Sequence, residues 1–302
     1  MDFVVITDTH FKSSSNNRTG SLLEDQKAKL QWVVNYCNEH NAVLLHAGDV
    51  FDKPSVPDIV KNSLAQVLRG LNSHKFIAIN GNHDRLWDNN DSIDKTSYGV
   101  WRSHGLMSDM NGMTLDLGEC FLTNQVPLIN RGKPQIVLFH GFLNIDDGKN
   151  SFYFQDISAN ITDQVYIVLG HDHVEYDPLE FQSNIKIFRP GSFTRLTRDD
   201  TSMRVPKLLH IRIRDGRMQY KLVSITAARP AEEIFKAKLT NVTKAQQRNT
   251  YEEIISQIRN ASKTSMTLEE AICQVADESV QNYLFRRIKS HALDKQFNKE
   301  EL

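Results

Sequence analysis

Residues 3–10 read FVVITDTH: a short apolar run, Phe3 to Ile6, followed by Thr7 and then Asp8, Thr9 and His10. Three of the four apolar residues are β-branched, which suits an interior strand covered on both faces. The run ends on two side chains with chemistry to offer. The same design recurs along the chain. Val43 to His46 runs into Gly48 and Asp49, and Phe76 to Ile79 into Asn80, Gly81 and Asn82. Gln135 to Phe139 runs into His140, and Tyr166 to Leu169 into Gly170 and His171. Between the first strands lie two stretches with helical spacing, Leu22 to His40 and Pro57 to Leu71, the second with Leu64, Val67 and Leu68 beside Ile59 and Val60. Strand–helix–strand alternation predicts an α/β domain.

From about residue 185 the pattern changes to strands without helices (IKIF, KLLHIRI, MQYKLVSI), read as a β-rich second half-sheet. After Arg229-Pro230 it changes again: residues 231–302 hold no Gly or Pro and carry helical spacing, with Thr267 and Glu270 in capping-box register. The expected division is a main domain over 1–228 and a helical region over 229–302.

The composition excludes several classes. Of 302 residues, 40% are hydrophobic and 24% charged, so disorder is not the main state. Lys and Arg number 36 against 37 Asp and Glu, so the chain is no basic coat protein. Cys37, Cys120 and Cys273 are far apart, which fits a reducing compartment and neither a disulfide framework nor a cysteine zinc site. No apolar run approaches the roughly 18 residues of a span. The start MDFVVITDTH has neither the basic residues nor the apolar core of a signal peptide. The expectation is a soluble, cytoplasmic protein.

Five strand ends thus deliver Asp8 and His10, Asp49, Asn82 and His83, His140, and His171 and His173. Asp, His and Asn together are ligands for borderline divalent ions such as Mn, Fe or Zn. Two ions about 3.5–4 Å apart can clamp both oxygens of an in-line displacement at phosphorus and acidify a shared water. Each element has a plainer reading alone. Asp8-Thr9-His10 could be a solvated turn, Asp49 a helix cap, Gly81-Asn82 turn chemistry, and His140 a satisfied core histidine. Jointly, and all at strand C-termini, they point to a metal centre.

The ordered set Asp8-x-His10, Gly48-Asp49-x-x-Asp52, Gly81-Asn82-His83-Asp84, His140-Gly141 and Gly170-His171-x-His173 resembles the calcineurin-like metallophosphoesterase signature. Within that superfamily, Gly48-Asp49-Val50-Phe51-Asp52 and Arg189-Pro190-Gly191-Ser192 are most similar to SbcD-type (meiotic-recombination-eleven-like) DNA exonuclease subunits. Lys53-Pro54 after Asp52, and Asp84 closing the third motif, differ from the Ser/Thr phosphatase branch. The resemblance implies a two-sheet β-sandwich flanked by helices, with a small, mostly helical cap or partner-binding region. It implies that Asp8, His10 and His173 hold one ion, Asn82, His140 and His171 a second, and that Asp49 bridges them. The ions would be Mn2+ first, with Mg2+, Fe2+ or Zn2+ as alternatives. His83 would face the scissile phosphate, Asp52 would hold His83 in its tautomer, and Asp84 would support the ligands. The implied partners are DNA, an SbcC-type SMC-like ATPase and a second copy of the chain. The implied setting is the nucleoid of a bacterial or phage-infected cell. His10 is followed by Phe11-Lys12 rather than Leu-Gly, and the tail is short, departures that fit a phage-encoded member.

Charge is segregated along the chain. Residues 186–221 hold ten basic and three acidic residues, while residues 84–119 hold three basic and seven acidic. A basic strip can track a phosphate backbone without reading sequence; alternatively, Arg212 and Arg214 simply occupy the solvent face of a strand. Arg195 and Arg198 are the candidate DNA contacts there, with Arg85, Lys53, Lys12 and Arg18 beside the metal motifs. Two rival readings are a small-molecule phosphodiesterase or phosphatase on the same centre, and an architectural DNA-end or ATPase-binding module with a vestigial site.

Overall fold

The apolar runs become two six-stranded sheets. A computed structural model describes residues 1–15, 18–73, 75–87, 89–143, 151–152, 157, 160–196 and 203–235. In chain order the strands of the first half are β1 (Asp2–Ile6), β2 (Ala42–Ala47), β3 (Phe76–Ile79), β4 (Ser108–Asp109), β5 (Thr114–Asp116) and β6 (Phe121–Thr123). The second half adds β7 (Gln135–His140), β8 (Phe142–Leu143), β9 (Ser151–Phe152), β10 (Val165–Gly170), β11 (Tyr176–Gln182), β12 (Ile185–Arg189), β13 (Lys207–Arg214) and β14 (Arg217–Ser224). The helices are α1 (Leu22–His40), α2 (Asp58–Leu68), α3 (Ser97–Ser103) and the short α4 (Ala231–Ile234), with a 3-10 turn at Asn90–Lys95 before α3.

One sheet has the order β14-β13-β1-β2-β3-β4 and the other β11-β12-β10-β7-β6-β5. Each has a parallel centre: β1, β2, β3 and β4 in the first, β6, β7, β10 and β12 in the second. Antiparallel strands close the edges, β13 and β14 on one sheet and β5 and β11 on the other. β8 and β9 form a separate two-stranded ladder.

The alternation along each strand explains the layers. Phe3, Val5, Leu45, Ala47, Ile77 and Ile79 share a core with Ile136, Leu138, Tyr166, Val168 and Phe188 of the facing sheet. Val4, Ile6, Leu44 and Ala78, one residue out of phase, pack with Leu30, Val33, Val60 and Leu64 of the helices. The outer face of the second sheet buries Val137, Ile167, Ile185 and Ile187 under Leu128, Phe152 and Ile157. Strands apolar on both faces are therefore what this sandwich requires.

Helix α1 starts where Ser21 Oγ accepts the N–H of Glu24 at 3.3 Å, with Glu24 and Asp25 in its first turn. It stops at Asn41, whose φ of 49° is left-handed. Helix α2 begins after Pro57 and is shorter than the spacing predicts. Its Ile59 is 62% exposed rather than part of the buried stripe, which consists of Val60, Leu64, Ala65 and Leu68. The β-rich second half divides between the sheets: β12 extends the second, while β13 and β14 add to the first beside β1. Periodicity reports which faces are buried and says nothing of which neighbour a strand chooses. Of the cap or partner-binding region expected over 229–302, only residues 229–235 with α4 are described, and they belong to the same compact unit as the sheets; the helical spacing beyond residue 235 lies outside the described residues. Among the described residues no helix is long and apolar enough to cross a membrane.

Phe188, 1% exposed, sits between the sheets against Tyr166 and Tyr220 at ring separations of 5.2 and 4.8 Å. Truncation to alanine is expected to cost about 3–5 kcal/mol, read as a lower urea midpoint with an unchanged slope. A loss below about 1 kcal/mol would contradict a core shared by both sheets.

Candidate metal centre

Because the central strands of each sheet run parallel, the loops after β1, β2, β3, β7 and β10 bring their residues together. Backbone hydrogen bonds zip the first two loops side by side: Asp8 N–H to Gly48 C=O at 3.1 Å, His10 N–H to Asp49 C=O at 3.0 Å, and Phe11 N–H to Val50 C=O at 2.9 Å. Asp8, His10, Asp49 and His171 all hold left-handed backbone, with φ of 50, 42, 55 and 86°. Such conformations cost free energy and persist where their surroundings over-determine them. A Cβ at Gly81 would overlap Asp49 Oδ1, and one at Gly48 would overlap the His140 ring, so these two approaches require glycine.

Each carboxylate anchors a backbone N–H with its Oδ1. Asp49 Oδ1 accepts the His83 N–H at 2.9 Å, and Asp8 Oδ1 accepts the His171 N–H at 2.9 Å. Asp49 Oδ2 then lies 3.5 Å from His10 Nε2 and 3.3 Å from His140 Nε2. On one side, His10 Nε2 and His173 Nε2 stand 2.9 Å apart, with His173 Nε2 3.8 Å from Asp8 Oδ1. On the other, Asn82 Oδ1 is 3.2 Å from His140 Nε2 and 3.0 Å from His171 Nδ1. The seven expected ligands are thus brought together, with Asp49 between the Asp8–His10–His173 group and the group of Asn82, His140 and His171, while His83 forms a further cluster with His10 and Asp49.

The donor set fits two divalent ions. Imidazole nitrogens face one another with no acceptor between them, and buried Asp8 Oδ2 has no hydrogen-bond partner among the described residues. That is chemistry a cation satisfies. Asp84, fully buried, accepts N–H bonds from Val50, Phe51 and Gly81 at 3.0, 2.8 and 2.9 Å, and so ties the second loop to the third.

Charges at the centre are strongly displaced. Burial raises the carboxyl of Asp8. Burial also pushes up Asp49, but the adjoining His140 and His10 outweigh it and hold Asp49 well below the usual carboxylate range. Burial pulls His140 down, yet Asp49 and Asp8 outweigh it and push the imidazole up to about 9. Burial holds His10 well below an ordinary histidine.

His83 is exposed at the rim, its ring edge-on to His10 at 4.7 Å. Its Nδ1–H donates to a carbonyl at 2.8 Å, and that carbonyl is the backbone of Asp52. The carboxylate expected to orient His83 is engaged elsewhere: Asp52 Oδ1 accepts from Lys12 Nζ at 2.9 Å. The tautomer is therefore set by main chain, a role no side-chain motif reveals.

The DNA contacts expected from sequence divide. Arg195 is 3% exposed, and its guanidinium donates to the backbone carbonyls of Arg204 and Arg229 at 3.1 and 2.6 Å. It is a structural brace, because two backbone carbonyls already occupy its donors. Arg18, 6% exposed, bonds Asp25 and the Arg195 carbonyl, so it too is a brace. Arg198 lies outside the described residues. Lys53 is exposed, and Arg85, partly exposed, donates to Asn90 Oδ1 at 3.2 Å. The Gly191-Ser192 segment stitches the first and last motifs together: Ser192 N–H bonds His173 C=O, and Thr194 N–H bonds Asp8 C=O.

Sequence reading missed Gln26. Fully buried on α1, its amide donates to the carbonyls of Thr9 and His10 at 3.1 and 3.0 Å and fixes the first motif's backbone. The signal was there: Gln26, with Lys29, is a polar residue on the mostly apolar buried stripe of α1.

Residues 1–175 match the calcineurin-like phosphoesterase family, more than half of the chain. The chain belongs to that family. Among solved structures it is similar to the 5′-nucleotidase precursor from Thermus thermophilus, at 13% identity and a TM-score of 0.41, over 76% of this chain and 56% of that one. It is also similar to the NAD nucleotidase of Haemophilus influenzae, at 12% identity and a TM-score of 0.37, over 74% of this chain and 49% of that one. The chain spans about half the length of both. No curated protein matches it.

Asp49→Ala is expected to abolish tight binding of both ions, measured by calorimetric titration with Mn2+; two tightly bound ions in the variant would remove Asp49 as the bridge. In the metal-free protein the raised His140 stabilises the fold fully below the unfolded histidine value of about 6.5, and that contribution is lost as pH rises through about 9. The urea midpoint in EDTA should fall across that window, and His140→Gln should flatten the fall.

Proposed function

We propose that this member of the calcineurin-like phosphoesterase family is a two-metal DNA nuclease of the SbcD type. It would hydrolyse phosphodiester bonds as a 3′-to-5′ exonuclease and single-strand endonuclease in DNA end processing, recombination and repair. The observation that carries this reading is the seven-ligand centre with His83 at its rim, carried in the SbcD-like wording of the second motif and of Arg189-Pro190-Gly191-Ser192.

When bound, a pair of divalent ions, Mn2+ first among the candidates, would polarise the phosphoryl oxygens and acidify water. The chain's own residues do the rest. Asp8, His10 and His173 would hold one ion, Asn82, His140 and His171 the other, and Asp49 would serve both. His83 keeps its Nδ1 proton on the Asp52 carbonyl, which leaves Nε2 to carry a proton to the departing 3′-oxygen.

A second feature favours a polyanionic substrate. On β13 and β14, Arg214 stands directly opposite Arg217, Arg212 opposite Gln219, and His210 opposite Lys221. Among the described residues, Asp2 alone partners His210, Arg212 and Arg214 as an acid. The Arg214–Arg217 pair sets like charges opposite one another, which costs stability in a free protein. An anion offsets that cost, so this face would hold phosphate backbone. It lies at the Asp2 end of β1, about 20 Å from the Asp8 end at 3.3 Å per residue, or roughly six base pairs along a duplex. The other basic residues of 186–221 are more committed: Lys207 and Arg204 pair with Glu175, Lys186 pairs with Glu180, and Arg189 lies over the Tyr176 ring. The same reading supplies an SbcC-type ATPase partner and a second copy of the chain, for which the exposed Ile59 on α2 offers an apolar contact.

The alternative is a small-molecule phosphodiesterase on the same centre, favoured by the commitment of Arg195, Arg204 and Lys207 to intramolecular partners.

End-labelled DNA with Mn2+ tests the proposal. The wild type should degrade it, and His83→Ala should lose about 10²–10⁴-fold while retaining both ions. Asp52→Ala should cost far less than His83→Ala, because the orienting carbonyl remains. Turnover of a chromogenic diester with no attack on DNA would give the function to the small-molecule reading.

A further inference from the structure

A cavity of about 200 Å³ opens beside the metal centre, and His140 forms part of its wall. It lies between the ends of β3 and β7 and the loop that follows His83. Its polar lining is almost wholly carboxamide: Asn80, Asn90, Asn111 and Asn124, with Arg85 at one side and Phe139 as an aromatic wall. Among the described residues, no carboxylate and no lysine lines it.

Two of these amides are locked. Asn124 donates to the Leu138 carbonyl at 2.7 Å and accepts from the Gly112 N–H at 3.0 Å. Asn111 accepts from the Asn80 N–H at 3.3 Å and donates to Asp109. Asn80 differs. It is 6% exposed, it lines the cavity, and its carboxamide makes no hydrogen bond among the described residues. Its polar atoms are reachable from the cavity and committed to no neighbour among the described residues, so they are free to meet a ligand there. A carboxamide presents a donor and an acceptor side by side, the pattern that matches the edge of a nucleobase. The volume accommodates one ring system, and the shared wall at His140 puts such a ring next to a phosphate on the centre.

We infer that this cavity is a nucleobase subsite. It takes the base of the nucleotide whose phosphodiester lies on the metal centre, and Asn80 is its specificity-determining residue. The inference rests on the nucleic-acid reading above and adds to it: the enzyme reads the base beside the bond it cuts.

The test compares diesters with and without a base, using the full chain in Mn2+. The substrates are the 4-nitrophenyl esters of thymidine and adenosine 5′-monophosphate and bis(4-nitrophenyl) phosphate. Asn80→Leu should lower kcat/KM on the nucleotide esters at least tenfold more than on bis(4-nitrophenyl) phosphate, chiefly through KM. Calorimetric affinity for thymidine 5′-monophosphate should fall in step. Asn80→Asp, which keeps the shape and replaces the donor with an acceptor, should change the ratio between the thymidine and adenosine esters; it decides the matter if Asn80→Leu does not fold. Equal losses on all substrates, or no loss, in a wild type that does cleave nucleotide esters would overturn the subsite alone. A wild type that cleaves bis(4-nitrophenyl) phosphate and neither nucleotide ester would overturn the nucleic-acid reading, and the subsite with it.

Discussion

Three backbone N–H groups, from Val50, Phe51 and Gly81, close on the buried carboxylate of Asp84. The rest of the centre depends on that clamp. It fixes the loop after β2 against the loop after β3, which sets Asp49 where its Oδ1 can take the His83 N–H and its Oδ2 can face both histidine groups. Burial and the nearby Asp49 push the Asp84 carboxyl up to about 7, and the three N–H groups pull the other way. A second lattice of main-chain bonds, from residues 8–11 to residues 48–51, adds the first loop. Left-handed backbone at four of the seven expected ligands is tolerated because these bonds leave the chain no alternative.

The sandwich supplies the frame for this. Parallel centres in both sheets put strand C-termini at one end, and antiparallel edge strands let the chain close each sheet without further crossovers. The same closure explains the basic segment. β13 lies next to β1, so its arginines meet Asp2, while the arginines in the preceding loop are drawn inside to satisfy carbonyls that the sheets cannot. Net charge along a segment is therefore a poor guide to free charge on a surface. Arg195 and Arg212 belong to the same basic run, and one is buried while the other faces solvent.

The strands and the clustering of the candidate ligands were legible in the sequence for a simple reason. Apolar runs with polar ends are local, and metal-binding residue types are distinctive when they recur at strand ends. Phe3 to His10 already contains a strand, a turn and two ligand candidates. The same local logic misplaced Ile59, because an apolar residue on a helix signals a buried face only if a neighbour covers it. It also gave the orienting role to the Asp52 side chain, since side chains are visible in a sequence and carbonyl directions are not.

The sequence by itself determined the α/β class, the order of the strand-end motifs and which residues could bind metal, since these follow from residue chemistry and short-range periodicity. Only the tertiary structure decided that β12 and β13 part company into different sheets and that Asp49 stands between two histidine groups. It alone decided that Arg195 is a brace and that Asn80 is a buried amide facing a cavity. Each of these turns on contacts between segments tens to hundreds of residues apart, and distance along the chain carries no information about approach in space.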